Sequence, residues 1–187
     1  MTASLLVDKR KVENPPLSLH YLGDKVLRQP AKRITKVDDS IRQLAKDMLQ
    51  TMYSANGIGL AAPQVGINKQ LLVVDCEHDN PDAPPLIMIN PQITTMGQEL
   101  CVVEEGCLSI PNVYFEVVRP QVIEVSYKDE HGRPQKREFT DLPARVIQHE
   151  MDHLNGIMFV DHVDNPLELA ESLKKEGFSI QAVKPIS

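Results

Sequence analysis

The run His149-Glu150-Met151-Asp152-His153 is where chemistry is most readily read in this sequence. On a helix, positions i and i+4 share a face, so both imidazoles can reach one cation. Glu150 then sits beside the cation without having to ligate it, where a base for an activated water is wanted. The same spacing on a surface helix would carry no function. Here the preceding turns hold Leu142, Val146 and Ile147, which marks a core helix. A catalytic site of this type usually has three protein ligands and an open position. The metzincin pattern would continue with a glycine and a third histidine. Gly156 falls on the glycine position, but Phe159 stands where that histidine belongs, which excludes the class. Glu168 or Glu171 would complete a thermolysin-like set, yet both read as ordinary solvent-facing charges on a later helix. Cys107, within Glu105-Gly106-Cys107-Leu108-Ser109-Ile110-Pro111, is the better third ligand, and Gly106 before it lets another backbone approach closely. By itself Cys107 reads equally well as a small buried hydrophobe, the reading adopted for Cys76 and Cys101.

A third segment resolves the choice. Gly57-Ile58-Gly59-Leu60-Ala61-Ala62-Pro63-Gln64 is small and apolar with one amide at its end, and lacks the lysine and context of a phosphate loop. Alone it would be a helix cap and a tight turn. In order along the chain, G-I-G-L-A-A-P-Q, E-G-C-L-S and H-E-M-D-H closely resemble the three signature motifs of the peptide deformylases. The likeness runs from about Leu22 to Asp161. It implies hydrolytic removal of the N-formyl group from the N-terminal methionine of new polypeptides, with release of formate. It further implies metal ligands Cys107, His149 and His153, a catalytic acid/base Glu150, and oxyanion donors in Gln64 and the backbone N–H of Leu108. Ligand softness would suit zinc; the resemblance points to one Fe²⁺ per chain, with Ni²⁺, Co²⁺ or Zn²⁺ as substitutes.

Backbone at Ile58, Gly59 and Gly106 offers pairing to an extended peptide by strand addition. Ile58, Leu142 and Val146 are candidates to line a slot for the methionine side chain; they read nearly as well as plain core residues. Some family members have an arginine near the pocket mouth where this chain has Tyr114, so it resembles the tyrosine subgroup. Arg119 and Glu105 would form either an ion pair behind the metal or an ordinary solvated pair. The nascent chain makes a ribosomal contact conceivable, although Lys174-Lys175 is only a mildly basic signal. Two rivals are a metallopeptidase with a glutamate ligand and a non-catalytic metal-binding scaffold; the latter needs neither Glu150 nor Gln64.

These residues need elements to position them. Apolar residues Ile41, Leu44, Met48, Leu49 and Met52 predict a helix over 38–56, capped by Asp38 or Asp39 and ended by Gly57-Ile58-Gly59. Strands are predicted at 70–75, 86–90, 93–95, 99–104, 113–118, 122–127 and 136–140, with a hairpin at Asp129–Gly132. Pro143 suits the first turn of the metal helix, which should run to Asn155 with Gly156 at its left-handed end. A C-terminal helix follows over 166–176, stopped by Gly177. The expected fold is α+β, with antiparallel and mixed sheets packed around the central metal helix.

With 187 residues and 42% hydrophobic content, the chain has the size of one globular domain. Residues 1–16 read as a flexible N-terminal arm and 17–187 as the catalytic domain. No apolar run approaches a membrane span, and the N-terminus resembles neither a signal nor a transit peptide, so the expected location is cytoplasmic with reduced thiols. A formal charge of −6 argues against a DNA-coating protein.

Overall fold

The structure, a computed structural model, describes residues 7–186. The first six residues of the expected arm, and Ser187, lie outside the described residues. Helix α1 (Asp39–Ser54) begins where the Asp38 carboxylate accepts from Ser40 N and Ile41 N, satisfying backbone donors that have no intrahelical partner. Its end differs from expectation. Asn56, not a glycine, takes the left-handed conformation at φ 59°, and Gly57 N donates to Met52 O. Asparagine tolerates that region better than other residues with a side chain. Gly59 is thereby released into a strand, β1 (Gly59–Ala61), where the sequence reading had only a helix end and turn.

The next strands are β2 (Leu71–Val74) and β3 (Leu86–Met96). The two segments predicted at 86–90 and 93–95 form one strand, interrupted by register shifts between Ile89 and Gln92 and between Ile93 and Thr95. Pro91 lies at the first shift, and Asn90 before it adopts φ 50° while its amide bonds both Ile34 N and Ile34 O. A bulge of this kind lets a strand pass through a proline. After β4 (Leu100–Cys107) and β5 (Ile110–Pro120) come β6 (Val122–Lys128) and β7 (Pro134–Thr140). The expected hairpin joins β6 to β7, with Gly132 at φ 76°. Helix α2 (Asp141–Leu154) carries the metal motif and ends with Gly156 at φ 73°; helix α3 (Pro166–Lys175) ends before Gly177 at φ 81°.

Five strands form one antiparallel sheet in the order β1-β2-β3-β6-β7, and β4 pairs with β5 in a separate ribbon. Strand β2 is buried on both faces, which explains its uninterrupted apolar run. Leu71 and Val73 join Leu60, Ile87 and Ile89 against Met48, Leu49 and Met52 of α1. Leu72 and Val74 join Ala61, Met88, Ile123 and Val125 against Ala144, Val146 and Ile147 of α2. The remaining core sets Ile110, Val113 and Val117 of β5 against Phe159 and the α3 residues Leu169 and Leu173. Helix α2 thus lies between the large sheet and the β4–β5 ribbon. Among the described residues no helix is long and apolar enough to cross a membrane.

Candidate active site

The two helix-borne imidazoles meet the ribbon at Cys107. One ligating atom from each of Cys107, His149 and His153 lies within 4.8 Å of the others, with Cys107 Sγ 3.3 Å from His153 Nε2. Cys107 ends β4, just past a register irregularity between Glu105 and Cys107. Such irregularities re-aim a side chain away from strict alternation.

Glu105 orients His149. Its Oε2 accepts from His149 Nδ1 at 2.9 Å, which leaves Nε2 as the ring nitrogen free to ligate. The same carboxylate accepts from Arg119 Nε at 2.6 Å and Nη2 at 3.0 Å, and from Arg145 Nη1 at 2.7 Å. Glu105 and Arg119 form a buried pair rather than a solvated one, exposed by only 6% and 4%. Arg119 also bonds Asp152, which in turn accepts from His162 Nε2 at 2.8 Å. Arg145 reaches further, donating to Val117 O and Cys101 O. It joins the metal helix to both strands of the ribbon that carries Cys107.

This environment sets the charges. Burial alone would raise the Glu105 carboxyl, but bonds from His149 and Arg119 hold it well below the usual carboxylate range. Burial would lower His149, yet Cys107 and Glu105 hold it well above the ordinary imidazole range. His153, affected by burial and by neighbouring His149, falls well below. Burial pushes the Glu150 carboxyl up to about 7, close to where a general base working near neutral pH is wanted.

Two buried polar atoms here, Glu150 Oε2 and His153 Nδ1, have no hydrogen-bond partner. Two imidazoles and a sulfur converging beside such atoms fit a divalent cation with an open coordination position. Gln64 is fixed in orientation. Its Oε1 accepts from Ala61 N at 2.8 Å, and its Nε2 donates to Ser109 Oγ at 3.2 Å and towards Cys107 Sγ at 3.5 Å.

The site opens into a cavity of ≈ 660 Å³. Every expected site residue lines it except His153, which lies behind at 1% exposure. Ile58, Leu142 and Val146 are on its wall, as are Leu108 and Gly106. Gly59 must lack a side chain: a Cβ there would stand 2.5 Å from Glu150 Oε1 and 2.7 Å from Val146 Cγ1. Gly106 is covered by the Tyr114 ring, whose Cε1 would be 2.5 Å from a Cβ. Glu168 and Glu171 stay exposed on α3, outside the cluster. Arg145, Asp152 and His162 escaped the sequence reading. Arg145 could have been found: it stands four residues before His149, on the same face of a helix that is otherwise core.

A family model described as polypeptide deformylase matches residues 16–168. The chain belongs to the polypeptide deformylase family. Relatives of the family include the peptide deformylase of Synechocystis sp., 82% identical over 187 residues and covering 100% of each chain. Peptide deformylase 1 of Nostoc sp. is 68% identical over the same full lengths. Among solved structures, a peptide deformylase from Synechococcus elongatus in complex with actinonin matches with a TM-score of 0.97 and 61% identity, over 98% of this chain and 100% of that one. The peptide deformylase of Thermotoga maritima matches with a TM-score of 0.75 and 40% identity, over 80% of this chain and 98% of its own. As a deformylase, this chain is a hydrolase that removes the N-formyl group from new polypeptides.

Proposed function

We propose that Cys107, His149 and His153 hold one Fe²⁺, replaceable by Ni²⁺, Co²⁺ or Zn²⁺, and that Glu150 is the acid/base of deformylation. One observation carries this reading: the sulfur and two imidazoles within 4.8 Å of one another, beside a buried Glu150 oxygen with no partner. When bound, the cation supplies a water acidic enough to attack a formyl carbon near neutral pH. Glu150 takes the proton of that water and returns it to the leaving amine as formate separates. Gln64 Nε2, already aimed at the site, and the Leu108 N–H donate to the formyl oxygen as negative charge builds there.

The substrate enters as an extended strand. Its backbone pairs at Ile58, Gly59 and Gly106, contacts that ignore side chains and therefore suit many different N-termini. Ile58, Leu142 and Val146 cover the methionine side chain, and Tyr114 stands at the mouth. The catalytic domain is residues 17–187, working in the cytoplasm on N-formylmethionyl nascent chains near the ribosome, with no membrane or specific DNA contact. The deciding test incubates the purified protein with a formyl-methionyl peptide and with its acetyl counterpart, assaying formate and free amine. Formate and amine from the first alone are expected; equal cleavage of both, or of neither, would sink the reading.

A further inference from the structure

The chain has a second concavity that the reaction at Glu150 does not use. It measures ≈ 470 Å³ and adjoins the active-site cavity, sharing Leu19, Tyr21 and Ala55 with it. Its far wall is Val12, Pro15 and Leu17, from the segment that precedes or barely overlaps the region matched by the family model, which begins at residue 16. This wall therefore lies largely outside the common family core.

The wall is held in place. Lys9 Nζ lies 2.8 Å from Asp75 Oδ2 and donates to the carbonyls of Glu77, Asn80 and Ala83. Its side chain is only 13% exposed, against 2% for that of Asp75, and Asp75 also accepts from Tyr53 OH at 2.7 Å. Further along, Gln50 Nε2 donates to Arg10 O, Val12 N to Ser54 Oγ, and Leu17 N to Thr51 Oγ1. The segment is thus fastened to α1 on one side and, through Lys9, to the loop after β2 on the other. Binding surfaces fixed in advance lose less entropy when a ligand settles on them.

We propose that this groove is a subsite for the residues of the peptide substrate beyond the second, lying extended over Ala55 and Tyr21 with apolar side chains against Val12, Pro15 and Leu17. The occupant follows from continuity. A substrate anchored by its formylmethionine must leave the active-site cavity, and the shared residues Leu19, Tyr21 and Ala55 connect it to a second concavity, where Val12, Pro15 and Leu17 alternate with the polar Glu13, Asn14, Ser18, Thr51 and Ser54. The inference rests on the deformylase reading of the first cavity. Lys9 is a positioning residue: it touches no substrate and holds the wall from outside the groove.

The test measures kcat/KM on formyl-Met-Ala and on formyl-Met-Ala-Leu-Leu for the full-length protein, for Lys9→Met and for Val12→Asp. The wild type should favour the tetrapeptide by roughly 5- to 20-fold, as expected from partly covering one or two apolar side chains. Lys9→Met should keep the dipeptide rate and lose most of the gain, mainly through KM. Val12→Asp should lose the gain and partly recover it when the fourth residue is lysine. A wild type that treats both peptides alike overturns the subsite, as does a gain that survives both substitutions. If Lys9→Met does not fold, Val12→Asp decides alone, since the long-to-short ratio is taken within one preparation. Failure on every formylated peptide would instead defeat the deformylase reading itself.

Discussion

Replacing Glu105 with glutamine tests whether the site is built on a buried electrostatic frame. The carboxylate accepts four bonds, two from Arg119 and one each from Arg145 and His149, at 2.6 to 3.0 Å. All four residues are at least nine-tenths buried. Glutamine keeps the shape but removes the charge, and its amide nitrogen must face a donor it cannot accept from. Breaking a buried pair by removing one partner typically costs about 3–5 kcal/mol, because the other charge stays buried without compensation. Asp152 still faces Arg119, so the lower end of that range is expected. For a domain of this size 1 kcal/mol moves Tm by about 2–4 °C, giving a fall of roughly 6–12 °C at 3 kcal/mol. The second effect is on the metal. The remaining amide oxygen is best placed at Oε1, where it faces two guanidinium donors, so the amide nitrogen faces His149 Nδ1, which loses the bond that fixes its tautomer and ring orientation; such losses cost about 10–100-fold in metal affinity. Thermal unfolding of the metal-depleted protein reads the first effect. Nickel competition against a coloured chelator reads the second. A variant melting within 2 °C of the wild type and binding nickel as tightly would refute the argument, since neither the charge nor the bond would then matter.

Glu150→Gln should retain its metal by elemental analysis and lose nearly all turnover; loss of the metal would mean that Glu150 is structural. Gln64→Leu should lower kcat by about a hundred- to a thousandfold, the usual cost of one oxyanion donor, with little change in KM, and an effect confined to KM would leave Gln64 a binding group only. Gly59→Ala should cut kcat by about a hundredfold, because the new methyl displaces the Glu150 carboxylate by a large fraction of an ångström; an unchanged rate would place the working carboxylate elsewhere. The iron form should lose activity in air together with its metal as Cys107 oxidises, while a nickel form persists. Equal lifetimes, with Cys107 unmodified by mass spectrometry, would remove both the iron assignment and that route of inactivation.

The fold was most legible where one physical rule acted alone. Asp38 sits at a helix start because its carboxylate serves two free N–H groups, and Gly156 and Gly177 sit at helix ends because they take positive φ. The errors came where two rules competed. Asn56 and Gly57 were both fit to end α1, and the asparagine took the left-handed position, which moved Gly59 into β1. The segments expected as separate strands at 86–90 and 93–95 are one, carried past Pro91 by a bulge beside Asn90. Strand β1 itself is three residues long, too short for periodicity to show, and only pairing with β2 reveals it.

The candidate site divides along the same line. His149 and His153 lie on one helix, so their relation is a matter of helical spacing and was readable locally. Cys107 is some forty residues away, and no local rule separates a ligand from a buried thiol; only its company with two other motifs distinguished it. The frame behind the ligands was harder still. Glu105 and Arg119 occupy β4 and β5; their pairing could be named from sequence, but whether the pair is buried or solvated depends on how the ribbon packs on α2, which sequence does not state. Arg145 and Asp152 were different: both lie on the metal helix, four before and three after His149. A charged residue on a core helix cannot remain unpaired without a cost of several kcal/mol. Arg145 on that face therefore required a partner from whatever packs against α2. Glu104, Glu105 and Glu116 all lie on the ribbon, and its register buries Glu105 while the other two stay exposed, which brings the Glu105 carboxylate to 2.7 Å from Arg145 Nη1. The demand for a partner is local, whereas the choice of partner belongs to the packing of the ribbon on α2.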